Sequence, residues 1–132
     1  MVLTTLDKRI KYLSYAYHGS CHDFSILKTE LPPEKGNWFS KNTVHVDLGY
    51  QGIDKKYVCL KLSIPVKKPK GKELSKKQKK ANRKKSQLRI FVENAIGGMK
   101  RYRFLSDKLR CHSISLYNKI AGVAAGLQQF PG

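Results

Sequence analysis

The run "KKPKGKELSKKQKKANRKK", residues 67–85, holds eleven Lys and Arg against the single acid Glu73. Like charges at that density cannot share a core, so the segment must face solvent or a partner. Pro69 and Gly71 mark its first part as a mobile loop, and from Glu73 onward the composition suits a solvated helix leading into the next apolar stretch. The same imbalance governs the whole chain, whose net charge is +18. A field of that sign gathers polyanions, either nucleic acid or an anionic membrane surface. No run approaches the roughly 18 apolar residues a spanning helix needs, and "MVLTTLDKRIKYL" lacks the charged start and apolar run of a signal peptide. Nucleic acid is the expected partner, no membrane contact is expected, and the expected location is cytoplasmic, associated with the nucleoid.

A length of 132 residues suits one small domain. Cys21, Cys59 and Cys111 are odd in number and widely spaced, which argues against a disulfide framework or a zinc knuckle. His18 and His22 lie four apart beside Cys21 and Asp23, but Gly19-Ser20 interrupts any helix that would align them, and His45 and His112 stand apart.

The chain opens with "MVLTT", which reads as the tail of a strand, a turn at Asp7-Lys8, and a strand over 9–17. Asp23 stands where an N-cap belongs for a helix over 23–31, stopped by Pro32-Pro33. "TVHVDLGY" reads as a buried strand that delivers Asp47 at its carboxyl end. "KYVCLKLSIPVK" reads as another, with Val58, Leu60, Leu62 and Ile64 on one face. After the basic run, Leu88, Val92, Ala95, Ile96 and Met99 share one face of a helix. Arg89, Glu93, Gly97 and Lys100 form a separate stripe, and each interior glycine costs that helix about 1 kcal/mol against alanine. The apolar "ISLYNKIAGVAAGLQQF" predicts a final helix.

Two acids stand out, Asp47 at a strand end and Glu93 inside a helix. A sheet-borne aspartate and a helix-borne glutamate can converge, to within roughly 8 Å, on a pair of divalent ions about 4 Å apart. The strings "HGSCHDFSIL", "VDLGYQG", "PVKKPKGKEL" and, after Asn82, "RIFVENAIGGMKRYRFL" occur in that order. Together they resemble the catalytic domain of the DDE transposases of bacterial insertion sequences and their Harbinger-like relatives, over nearly the whole chain.

The resemblance implies an α/β, ribonuclease H-like fold. It places the second catalytic aspartate, in a D-x-G-Y motif, on Asp47, and the final glutamate, in an R-x-x-x-E motif, on Glu93. Both would be metal ligands for magnesium or manganese in DNA cleavage and strand transfer at transposon ends and target. Gly97 would then leave room for a metal-bound phosphate. Arg89 and Lys100 would add positive charge, although Lys100 also reads as a solvated helix residue. Gly49 would let the chain turn away from the metal or serve as a plain turn glycine, and Tyr50 would stack on a base or pack in the core. The basic run, with Lys76, Lys77, Lys79, Lys80, Arg83, Lys84 and Lys85, would bind DNA. The complete enzyme is compatible with a homodimer.

The family's first catalytic aspartate lies on a first strand that this chain does not display, and Asp7, in the expected turn, is no substitute. Residues 1–132 are therefore expected to be a ribonuclease H-like domain lacking its first one or two strands, with a basic insertion at 67–85. Alone, such a chain is expected to be inactive, either as a decayed element or as the second frame of a frameshifted transposase. The alternative is a small basic nucleic-acid-binding protein without catalysis, which explains the charge but not the motifs around Asp47 and Glu93.

Overall fold

The computed structural model describes residues 1–107 and 113–130, so Cys111 and His112 lie outside the described residues. In chain order the elements are β1 (Val2–Thr4), β2 (Ile10–Leu13), α1 (Asp23–Glu30), β3 (Phe39–His45), β4 (Cys59–Ser63), α2 (Lys76–Met99), α3 (Arg103–Ser106) and α4 (Ile114–Leu127). The chain is mixed α/β. It divides into two compact units, Met1–His18 with Arg89–Gly132, and Gly19–Leu88.

In the first unit β1 and β2 form an antiparallel hairpin with Val2 opposite Leu13. The turn lies one residue earlier than expected, centred on Leu6-Asp7 and closed by the Lys8 N–H to the Thr5 carbonyl at 3.1 Å, and Lys8 takes a left-handed conformation at φ 66°. The strand is shorter than 9–17. The Ser14 N–H still donates to the Met1 carbonyl at 2.9 Å, but the Ala16 N–H donates to the Asn118 side chain at 2.8 Å, so a side-chain acceptor replaces the strand ladder. The Ser113 hydroxyl caps α4 by accepting from the Leu116 N–H at 3.2 Å. Ile10, Ala95, Met99, Ala121 and Ala125 make one buried cluster, with Val2, Leu13 and Leu105 packed against it. The expected apolar face of α2 is therefore the inward one.

The glycine pair in α2 has two different explanations. A Cβ on Gly98 would lie 2.5 Å from the Gln128 side chain, so this glycine makes room for the amide at the end of α4. The neighbouring Gln129 amide donates to the Ile10 carbonyl at 2.9 Å and ties the same end of α4 to β2. At Gly97 a Cβ would meet nothing within 4 Å.

In the second unit β3 and β4 run parallel, with Thr43 opposite Lys61 and His45 opposite Ser63. Residues 46–58 make the crossover through two 3-10 turns, Leu48–Tyr50 and Ile53–Lys55. The core is Ile26, Leu27, Leu31, Phe39, Ile53 and Tyr57. Tyr57 organises it. Its ring lies 5.6 Å from that of Phe39 and 6.4 Å from that of Phe24, and its hydroxyl donates to the Leu31 carbonyl at 2.8 Å, serving the end of α1 that would otherwise leave its carbonyls orphaned. Neither strand is the buried strand the sequence suggests. Val58, just before β4, and Leu60 are 69% and 71% exposed, while Leu62 and Ile64 of the same face are half-buried.

The basic segment also differs from expectation in where its helix starts. α2 begins at Lys76 rather than near Glu73, because Ser75 and Gln78 form a reciprocal capping box: the Gln78 N–H donates to Ser75 Oγ at 3.2 Å and the Ser75 N–H to Gln78 Oε1 at 2.9 Å. The side-chain amide of Asn82 pairs with both the N–H and the carbonyl of Val66, each at 2.9 Å, and the Lys85 ammonium donates to the Ile64 carbonyl at 2.6 Å.

The contrast between the two glycines can be measured. Gly97→Ala should raise stability by about 1 kcal/mol, since helix propensity improves and nothing resists the methyl group. Gly98→Ala should gain less, because the Gln128 amide must move aside. Urea unfolding of both variants measures this, and a destabilised Gly97→Ala would show that the site is not open.

Candidate functional site

Asp47 lies two residues past the end of β3, where the chain leaves the parallel pair. Its backbone is extended, and its Oδ1 accepts from the Leu48 N–H at 2.7 Å, which caps the turn Leu48–Tyr50. The Tyr50 N–H returns to the Asp47 carbonyl at 3.1 Å. The strand thus delivers a half-buried carboxylate whose rotamer is held by the turn that follows it.

Asp23 belongs to the same neighbourhood, and its expected role is corrected. The N-cap of α1 is His22; Asp23 sits in the first turn, where its charge suits the helix dipole. Its carboxylate packs on Gly49, since a Cβ there would lie 3.1 Å from Asp23 Oδ2. A methyl group at Gly49 would press on this carboxylate, which would have to give by a few tenths of an ångström. The left-handed residue that lets the chain turn is Gly52, at φ 86°. The half-buried Tyr50 hydroxyl has its pKa raised to about 12, chiefly by burial and further by the negative charges of Asp23 and Asp47. That packing favours the core reading of Tyr50 over base stacking. No spacing rule links position 23 to positions 47–50, so nothing in the sequence signals this pairing.

Glu93 lies on α2 in the other unit, exposed like Arg89, Gly97 and Lys100, so the stripe read from the sequence faces solvent. Lys76, Lys77, Lys80, Arg83 and Lys84 are exposed along the first half of α2. Lys79 pairs with Glu73 at 2.5 Å, and Lys85 is half-buried on the Ile64 carbonyl.

Carboxylate oxygens are the donors that magnesium and manganese take, so Asp47 and Glu93 fit such an ion in kind. In number they fall short: among the described residues no group of three or more His, Cys, Asp or Glu could hold a metal ion. Among those residues, too, no helix is long and apolar enough to cross a membrane.

The Tyr50 environment makes a pH prediction. A hydroxyl whose folded pKa is raised from 10.0 to about 12 favours the folded state below pH 10, and that contribution is lost as pH rises through this window. The difference in tyrosinate absorbance between the wild type and Tyr50→Phe should titrate near the upper value, and Asp23→Asn should lower the midpoint. A midpoint at the ordinary tyrosine value would contradict the geometry.

Comparison with known proteins places these residues in a family. Residues 1–129 match the family model described as DDE superfamily endonuclease. A probable transposase for insertion sequence element IS702 from Microchaete diplosiphon is 45% identical over 94 residues, which is 70% of this chain and 31% of that protein. The chain thus spans about a third of the length of the curated relative it matches. No solved structure matches. With the family match running through both the D-L-G-Y turn and the Glu93 helix, the chain belongs to the DDE superfamily endonucleases.

Proposed function

We propose that this chain is part of the catalytic domain of a DDE transposase with a ribonuclease H-like fold, acting in DNA transposition at transposon ends and target. In this reading Asp47 and Glu93 are two of the carboxylates that hold magnesium or manganese. The observation that carries it is the Asp47 turn, a carboxylate fixed by the Leu48 N–H at the carboxyl end of a parallel strand, where α/β folds present ligating side chains. The order of hairpin, parallel pair and glutamate-bearing helix supports it further. A bound divalent ion supplies Lewis acidity for phosphodiester cleavage and strand transfer. The residues of this chain hold and orient: the Leu48 N–H sets the Asp47 carboxylate, and Gly97 leaves the helix surface open one turn beyond Glu93.

DNA is held through Lys76, Lys77, Lys80, Arg83 and Lys84, with Arg89 and Lys100 nearer the glutamate in sequence and Lys79 and Lys85 contributing less because each already has a protein partner. The non-catalytic alternative accounts for the basic face of α2, but it gives no reason for the motifs around Asp47 and Glu93. Family resemblance also makes homodimerisation of the whole enzyme part of this reading.

In a whole transposase of this sequence, Glu93→Gln should abolish metal-dependent cleavage while leaving DNA affinity nearly unchanged, because the phosphate contacts come from lysine and arginine. The 132-residue chain alone, with two carboxylates identified, should cleave poorly in magnesium or manganese; efficient cleavage that survives Glu93→Gln would remove that glutamate from the site. Replacing Lys76, Lys77, Lys80, Arg83 and Lys84 by glutamine should weaken binding to all DNA sequences and flatten the dependence of log affinity on log salt by about 0.9 for each phosphate no longer neutralised. An unchanged slope would show that the basic face of α2 does not touch DNA.

A further inference from the structure

The segment that follows α2 has a character the basic run at 67–85 lacks. Lys100, Arg101, Tyr102, Arg103 and Phe104 are five consecutive exposed residues, three cationic and two aromatic. They are bracketed by two anchors. Met99 is 7% exposed in the core, and Leu105 packs against the same cluster. The backbone between them is held by the Lys100 N–H to Ile96 carbonyl bond at 3.0 Å, Tyr102 N–H to Met99 at 3.2 Å and Leu105 N–H to Tyr102 at 2.8 Å. The side chains are therefore presented from a fixed turn.

Within that turn the two rings differ. Phe104 is committed to the protein, its ring 6.0 Å from that of Tyr117. Tyr102 is 40% exposed and has no ring partner among the described residues. No acid forms an ion pair with Lys100, Arg101 or Arg103 among those residues either. The basic run at 67–85, by contrast, contains no aromatic residue at all. A lysine-rich helix face can attract a phosphate backbone but offers nothing to a base. An exposed ring between two arginines offers both a stacking surface and charge for the flanking phosphates.

We propose that Tyr102, flanked by Arg101 and Arg103, is a stacking site for an unpaired base of single-stranded DNA. In a duplex the base faces are covered by their neighbours, so the ring has no partner there. The site is therefore selective for strands whose bases are free, such as a cleaved or unpaired end. This rests on the reading of the chain as a DNA-acting transposase, and it adds a subsite separate from both the carboxylates and the basic helix face.

The test compares an oligothymidylate with a duplex of equal length by fluorescence anisotropy, using the full chain. Tyr102→Leu should weaken oligothymidylate binding by about tenfold, the size expected for one stacked base, and leave duplex binding unchanged. Tyr102→Phe, which keeps the ring, should retain single-strand affinity, and matched thermal melts confirm that both variants fold. Arg101→Gln with Arg103→Gln should weaken both probes and reduce their salt dependence. If the wild type binds duplex and Tyr102→Leu leaves oligothymidylate binding intact, this inference falls alone, and an equal loss in Tyr102→Phe sinks it as well. If the wild type binds neither probe, the transposase reading falls with it.

Discussion

The side-chain amide of Asn82 has the donor and acceptor of a peptide group, and both are used on Val66. Val66 lies three residues past the end of β4, where backbone groups normally turn to water; here a helix supplies a single side chain in place of a neighbouring strand. Lys85 adds a charge-assisted bond to the Ile64 carbonyl from one turn further along. These three bonds close the basic segment at its base. Its cations can then repel one another outward, into solvent, without prising α2 from the end of β4. With a net charge of +18, the chain needs such neutral or one-sided anchors, because acids to balance its lysines are scarce.

The same scarcity gives the Asp47 turn its interest. Asp23 and Asp47 are brought beside one phenol, an arrangement that costs repulsion and raises the Tyr50 pKa. The repulsion is tolerated because the Leu48 N–H binds one carboxylate oxygen of Asp47 and because Gly49 lets Asp23 lie on bare backbone. Such a concentration of negative charge in a basic protein suits the proposed role of Asp47 in holding a cation, and it sits on the D-L-G-Y string, the most informative part of the sequence.

The two basic surfaces differ in chemistry. The face of α2 carries long, flexible ammonium groups suited to a phosphate backbone of any sequence. The turn after Met99 carries arginines and a ring, which suit bases as well as phosphates. One helix leads from the first to the second, and Glu93 lies between them in the chain.

Periodicity and charge decided much of this from sequence alone. The inward face of α2 through Ala95 and Met99, the hairpin turn to within one residue, the helix after Ser113, the exposure of the basic run and the strand that ends beside Asp47 are local consequences of residue spacing, and spacing is present in the sequence. The S-x-x-Q capping box that starts α2 at Lys76 is equally local and is legible in the same way. Other features needed the folded chain. Asp23 reads as an N-cap because local rules see only the helix that follows it, whereas its contact with Gly49 joins residues 26 positions apart. Gly98 reads as a cost to its helix until Gln128 arrives from α4. Val58 and Leu60 alternate as a buried face should, yet whether an apolar face is covered depends on which layers assemble over it. Alternation in the chain fixes which side chains share a face; only tertiary packing decides what that face meets, because burial belongs to pairs of surfaces and a sequence specifies each surface separately.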